Sequence, residues 1–218
     1  MMVEKNCVMV CAGDFREDSI QLLPGDFLIA VDNGLQRILK LGLTPDLILG
    51  DFDSLEEGAM AGCADLEALR RLSPEVLRLP VEKDDTDSVY AAREAVRRGF
   101  GDFLLIGAAG GRLDHTLGNL SLLLWLESQG KKALLADDFS EMEIVSSREV
   151  RIPDSFSYFS LLNISGLARG IRISGAKYPL SDAEIRCDYQ YGISNEVLPG
   201  ETAVVSLREG RLLLIKVY

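Results

Sequence analysis

Six short, largely apolar runs, each followed by one or more acids, constrain this chain more than any other feature. They cover residues 7–11, 27–31, 47–49, 77–79, 103–106 and 133–136. Most are continuous rather than alternating, the pattern of strands buried on both faces. Helical periodicity separates them. Residues 34–41 carry Leu35, Ile38, Leu39 and Leu41 before Gly42, residues 88–98 carry Val89, Ala92 and Val96 before Gly99, and residues 116–128 carry Leu117, Leu120 and Leu124 before Gly130. Each pattern closes on a glycine, which predicts a left-handed cap at each helix end. Strands alternating with helices predict an α/β fold built on a doubly wound, mostly parallel sheet.

In a parallel sheet the strand ends share one edge, and open α/β folds bind their ligands there. The acids that follow the six runs are Asp14, then Asp32, then Asp51 and Asp53, then Asp84, Asp85 and Asp87, then Asp114, and last Asp137 and Asp138. They are expected to converge. Few nearby bases offset them, chiefly Lys83 and Arg112, so an added cation would relieve the repulsion of an ionised cluster. An oxygen-only ligand set suits magnesium rather than zinc. The sharpest element is Gly50-Asp51-Phe52-Asp53-Ser54, with two carboxylates two residues apart directly after a strand. Taken alone, that pair also fits an Asx turn.

Helical periodicity ends near Ser140, and turn-forming pairs such as Ser165-Gly166, Ser174-Gly175, Pro199-Gly200 and Glu209-Gly210 punctuate the rest. Residues 1–138 therefore read as an α/β domain and residues 142–218 as a small all-β sandwich or barrel. With 218 residues and 47% hydrophobic content the chain can bury a substantial core. A net charge of −11 disfavours non-specific attraction to nucleic acid or anionic lipid. No stretch has the length of a membrane span, and the start lacks a signal-peptide layout, so a soluble cytoplasmic protein is expected. Cys7, Cys11, Cys63 and Cys187 show no C-x-x-C spacing and only one histidine accompanies them, which argues against zinc. Cys7 and Cys11 read as small core residues, and Trp125 as packing.

Two further segments carry chemistry. Glu82-Lys83-Asp84-Asp85-Thr86-Asp87 precedes a helix, so Thr86 or Asp85 could serve as its N-cap. One cap needs only one residue, and the surplus acids beside Lys83 point to a metal-and-phosphate site. Gly107-Ala108-Ala109-Gly110-Gly111-Arg112-Leu113-Asp114-His115 follows a strand and opens a helix. Its glycines permit close approach to a phosphate chain, the helix start attracts anions, and Arg112 would be a guanidinium clamp. It matches neither a Walker A loop nor a dinucleotide fingerprint. His115 reads equally as a base or as a hydrogen-bonding scaffold.

The ordered set Val31-Asp32-Asn33-Gly34, Pro45-Asp46, Gly50-Asp51-Phe52-Asp53-Ser54, Lys83-Asp84-Asp85-Thr86-Asp87, Gly111-Arg112-Leu113-Asp114-His115 and Gly192-Ile193-Ser194-Asn195-Glu196 resembles the bacterial type of thiamine pyrophosphokinase. The resemblance spans nearly the whole chain. It implies a catalytic domain that binds ATP and Mg2+, a thiamine-binding β domain, and a homodimer with shared active sites. The implied reaction moves pyrophosphate from ATP to thiamine, giving thiamine diphosphate and AMP. By position, it implies Asp51, Asp53 and Asp87 as magnesium ligands, with Asp84 and Asp46 close to the metal or phosphates. Asp32, Thr86, Arg112, Asp114, His115 and Asn119 match the nucleotide and phosphate side. Ser194 and Asn195 match the thiamine contact. The usual Asp-Gly-Gly appears here as Asp32-Asn33-Gly34, a departure that asparagine's tolerance of positive φ should absorb. Two other readings fit an acid-rich strand edge: a magnesium-dependent phosphohydrolase, and a non-catalytic nucleotide or vitamin sensor.

Overall fold

The computed structural model describes residues 6–13, 15, 22–52 and 66–218. Asp14, Asp53, Ser54 and Cys63 lie outside the described residues. The chain divides into two compact units, Met1–Asp138 and Phe139–Tyr218.

The first unit contains β1 (Asn6–Val10), β2 (Phe27–Val31), α1 (Gly34–Lys40), β3 (Leu47–Gly50), α2 (Leu66–Leu72), β4 (Glu75–Arg78), α3 (Asp87–Arg97), β5 (Asp102–Ile106), α4 (Leu113–Ser128) and β6 (Lys132–Ala136). Its strands lie in the order β6-β5-β1-β2-β3-β4, and every pairing among them is parallel. The chain therefore steps outward from β1 through β2, β3 and β4, then returns to the other side of β1 with β5 and β6. This reversal creates a topological switch point between β1 and β5.

Burial follows the apolar runs. The central strands β1, β2 and β3 are covered almost completely, whereas the outer strands β4 and β6 are partly exposed. On one face, Val8, Val10, Leu28, Ala30 and Ile48 pack with Leu35 and Ile38 of α1 and Leu69 of α2. The alternate residues face the other way, where α3 packs against β1, β2 and β3. Its Ala91, Ala92 and Ala95 are fully buried, and such short side chains let a helix lie close to a sheet. Helix α2 carries no signal that the apolar periodicity picked out. Cys7 and Cys11 are buried, and burial pushes both thiols up to about 12, in keeping with inert core residues. Helices α1, α3 and α4 give way to glycines with positive φ at Gly42, Gly99 and Gly130, as their sequences predict. Among the described residues no helix is long and apolar enough to cross a membrane.

The second unit is all β: β7 (Ser140–Val145), β8 (Val150–Pro153), β9 (Tyr158–Leu162), β10 (Leu167–Ser174), β11 (Leu180–Arg186), β12 (Gly192–Asn195), β13 (Thr202–Ser206) and β14 (Leu212–Val217). Antiparallel pairing gives the orders β12-β9-β14-β7 and β11-β10-β13-β8. Val145, Phe159, Leu161, Leu212 and Leu214 of the first set pack against Ile152, Ala168, Ile171, Ile185, Ala203 and Val205 of the second, so this is a sandwich rather than a barrel.

A buried asparagine ties the two layers together. Asn163, directly after β9, donates to the Gly166 carbonyl (2.5 Å) and to the Ile185 carbonyl of β11 (2.6 Å), and its Oδ1 accepts from the Ser165 N–H (3.1 Å). Gln190 closes the corner by bonding both backbone groups of Asn163. Asn163→Ala is expected to lower unfolding free energy by about 1–3 kcal/mol for each buried group left unmet. Urea titration followed by far-UV circular dichroism measures it.

Candidate active site

Three carboxylates from three separate elements meet at the C-terminal edge of the parallel sheet. Asp32 follows β2, Asp51 follows β3, and Asp87 opens α3. Each offers an oxygen, and these oxygens lie within 4.8 Å of one another. Asp51 is buried, while Asp32 and Asp87 are half-buried.

The backbone is shaped for this approach. Asp32 sits in the left-handed region with a φ of 48°, and its N–H donates to the Leu49 carbonyl at 2.8 Å. A side chain on Gly50 would bring its first carbon to 3.0 Å from Asp32 Cα, so glycine makes room for the acid. At Gly34 the constraint is harder, because an added carbon would lie 1.9 Å from the Val10 carbonyl oxygen. The start of α1 therefore crosses the end of β1 at a distance only glycine allows. Asn33 is right-handed, with φ −61° and ψ −9°. The positive φ anticipated at Asn33 falls instead on Asp32, so the asparagine in place of glycine strains nothing.

Lys83 joins the cluster. Its Nζ makes ion pairs with Asp51 and, at 3.1 Å, with Asp87, and its side chain is only 8% exposed. Burial opposes the ammonium charge, but the hydrogen bonds and charges of Asp51 and Asp87 together outweigh it and raise the lysine pKa. Among the described residues one ammonium, that of Lys83, stands with three carboxylates, and the donors gathered there are oxygens. That chemistry fits a hard divalent cation.

A cavity of about 630 Å³ adjoins the cluster, within the size range of small-ligand sites. It opens at the switch point. Cys11, Ala12 and Gly13 line it from the end of β1, and the Gly107–Gly111 loop lines it from the end of β5. The two loops are stitched together by Cys11 N–H to Ile106 O (2.8 Å) and Gly13 N–H to Gly107 O (2.9 Å). Arg112, at the N-cap of α4, lines the cavity with a largely exposed side chain. A glycine-lined loop leading into a helix start, with a guanidinium beside it, suits phosphate groups.

The other candidate residues divide clearly. Thr86 and His115 line the cavity. Thr86 occupies the N-cap position of α3 without a side-chain cap bond, and its Oγ1 lies 3.0 Å from Ser88 Oγ. Asn119 also lines it, but its buried amide is engaged internally: Oδ1 accepts from Ser88 Oγ (2.8 Å) and Nδ2 donates to the Ala108 carbonyl (2.7 Å). It thereby fastens the start of α3 to the glycine loop. Asp114 pairs with Arg112 through both carboxylate oxygens, and the guanidinium holds its pKa down at about 2.

Asp84 is exposed and does not line the cavity. Asp46 lies at the opposite edge of the sheet, where its carboxylate accepts from the Leu28 N–H at 2.8 Å. The strand β3 separates it from Asp51, a span of about 16 Å at the usual rise per residue. The match by position that placed Asp46 near the phosphates is thus corrected, since it precedes its strand instead of following it. In the second unit, Ser194 is exposed with a φ of 58°. Asn195 is buried, and its amide accepts from the Tyr178 and Glu196 N–H groups and donates to the Tyr178 carbonyl. It shapes the bend and has little left for a ligand. Sequence reasoning did not single out Ser88 or the Ala12-Gly13 turn. Gly13, shortly after the first strand, was the signal available for the turn.

Gly34→Ala is expected to cost about 1–3 kcal/mol of stability or more, because a backbone oxygen cannot yield as a side chain can. Thermal melting of the variant, with Gly118→Ala as a control where nothing lies within 4 Å of the added carbon, measures the difference.

Comparison with known proteins agrees with this architecture. Residues 23–135 match the family described as thiamin pyrophosphokinase, catalytic domain, and residues 143–212 match thiamin pyrophosphokinase, vitamin B1 binding domain. The chain is 28% identical over 190 residues to a thiamine pyrophosphokinase of Bacillus subtilis (strain 168), covering 86% of each. A crystal structure of thiamine pyrophosphokinase from Bacillus subtilis superposes with a TM-score of 0.84 at 26% identity, over 98% of this chain and 99% of that one. One of thiamin pyrophosphokinase from Geobacillus thermodenitrificans gives 0.81 at 27% identity, over 98% and 97%. With both domain matches in order and the catalytic one alone spanning over half its length, the chain belongs to the thiamin pyrophosphokinase family.

Proposed function

We propose that Asp32, Asp51 and Asp87 hold magnesium in this enzyme, and that the Gly107–Gly111 loop and Arg112 receive the phosphate chain of ATP. As a member of its family the chain is a thiamine diphosphokinase, which passes pyrophosphate from ATP to thiamine and leaves thiamine diphosphate and AMP. The observation that carries the site is the convergence of three acids from separate elements on one strand edge beside a glycine-lined cavity. Asp53, two residues beyond Asp51, completes the ligand set implied by the resemblance.

Each residue has a task that its position supports. Bound magnesium would neutralise phosphate charge and help orient the nucleotide. Arg112 offsets charge on the transferred group, and Asp114 keeps that guanidinium oriented until the phosphates arrive. Thr86 and His115 contact the nucleotide from the cavity wall. The thiamine hydroxyl attacks the middle phosphorus in line, and AMP departs. Phosphoryl chemistry of this kind depends on positioning and charge more than on a covalent intermediate, so no nucleophilic side chain is required. Asp84 and Asp46 take no direct part.

The second unit would bind thiamine, with Ser194 as the polar contact and Asn195 holding the bend that presents it. Tyr158, Tyr178, Tyr191 and Ile193 are exposed on that unit, consistent with a surface that a ligand or subunit covers. The working form is a cytoplasmic homodimer with shared sites.

Incubation with ATP, magnesium and thiamine, followed by product identification, tests the reading. AMP and thiamine diphosphate should form in equal amounts and only when thiamine is present. Phosphate release without thiamine would instead establish a hydrolase, and ATP binding without turnover a sensor. Chelation should abolish turnover, and Asp51→Asn or Asp87→Asn should reduce it about a hundredfold or more.

A further inference from the structure

The ion pairs of Lys83 give it a role beyond balancing charge. Its Nζ contacts Asp51 and Asp87, two of the three carboxylates whose oxygens approach within 4.8 Å. An ammonium at that point competes for oxygens that a divalent ion needs. Lysine is also suited to leave. Its charge is a compact point on a flexible stem with rotatable donors, unlike the planar fork of arginine. Lys83 lines the same cavity as the Gly107–Gly111 loop, so a released ammonium has polar space to enter on the phosphate side.

We propose that Lys83 is a resident counter-cation, which occupies the carboxylate cluster until a divalent ion binds and then turns to the phosphate chain of the nucleotide. The inference rests on the magnesium reading above. In the unloaded protein Lys83 keeps the acids from repelling one another. In the loaded protein the same charge sits where the phosphates bring theirs. A purely structural ion pair would stay with the carboxylates in both states.

Calorimetric titration with Mn2+ in the absence of nucleotide, on wild type, Lys83→Met and Lys83→Arg, separates these outcomes. Lys83→Met should bind Mn2+ about tenfold more tightly than wild type, because neither the competing charge nor its hold on the oxygens remains. Its metal-free form should melt at a lower temperature, with much of that loss restored by Mn2+, and its KM for ATP should rise. Lys83→Arg keeps the charge and should show no tightening. If Lys83→Met binds Mn2+ equally or more weakly while wild type binds it, the exchange is overturned and the magnesium site stands. If wild type binds no Mn2+, the magnesium reading falls and the exchange with it. Lys83→Gln gives the same comparison should the methionine variant not fold.

Discussion

Mutual repulsion among three carboxylates is the constraint around which the first unit is organised. Like charges less than 5 Å apart repel by roughly 3–4 kcal/mol per pair at an effective protein dielectric near 20. A chain assembles such a group only if the rest of the fold fixes it and an opposite charge answers it. Lys83 supplies one opposite charge within contact distance. The fixing comes from the backbone: Asp32 is held in a left-handed conformation, Gly50 leaves it room, and Gly34 lets α1 begin against the end of β1. Each of these local features would be a cost with no return in a protein that did not need its acids together.

The parallel sheet explains why the acids meet. Strands β1, β2 and β3 form a platform buried on both faces, so their ends cannot drift independently. Reversal of strand order at β1 and β5 separates the two loops that follow those strands and opens the crevice between them. The division of labour follows from this geometry. Acids gather over β2 and β3 and at the start of α3, while the glycine loop and Arg112 occupy the β5 side. The buried chain from Ser88 through Asn119 to the Ala108 carbonyl joins the two sides. It couples the start of α3, where Asp87 sits, to the glycine loop through buried hydrogen bonds that solvent does not weaken.

Much of this was legible in the residues. Continuous apolar runs marked the parallel strands to within about two residues, and glycines marked the ends of α1, α3 and α4, because burial and left-handed caps leave strong local signatures. Helix α2 is a seven-residue element on the flank of the sheet with one fully buried side chain, Leu69, too little for a periodic stripe. Among the candidate residues, the three that cluster, Asp32, Asp51 and Asp87, were legible from their places after a strand or at a helix start. Asp46 misleads because it lies just before its strand, and being close in sequence to Asp51 is no guide when a whole strand runs between them. Asn119 and Asn195 resemble ligand contacts in sequence, yet both amides are engaged in hydrogen bonds to backbone or to Ser88.

The sequence by itself determined the order of the six parallel strands and of helices α1, α3 and α4, the change to an all-β second unit and the acidic strand edge, since these follow from patterning within a few residues. Only the tertiary structure decided which acids share one small volume, that Lys83 stands among them, and which polar side chains are already occupied. Those outcomes depend on contacts between residues tens of positions apart, and no local pattern records the distances that electrostatics and hydrogen bonding respond to.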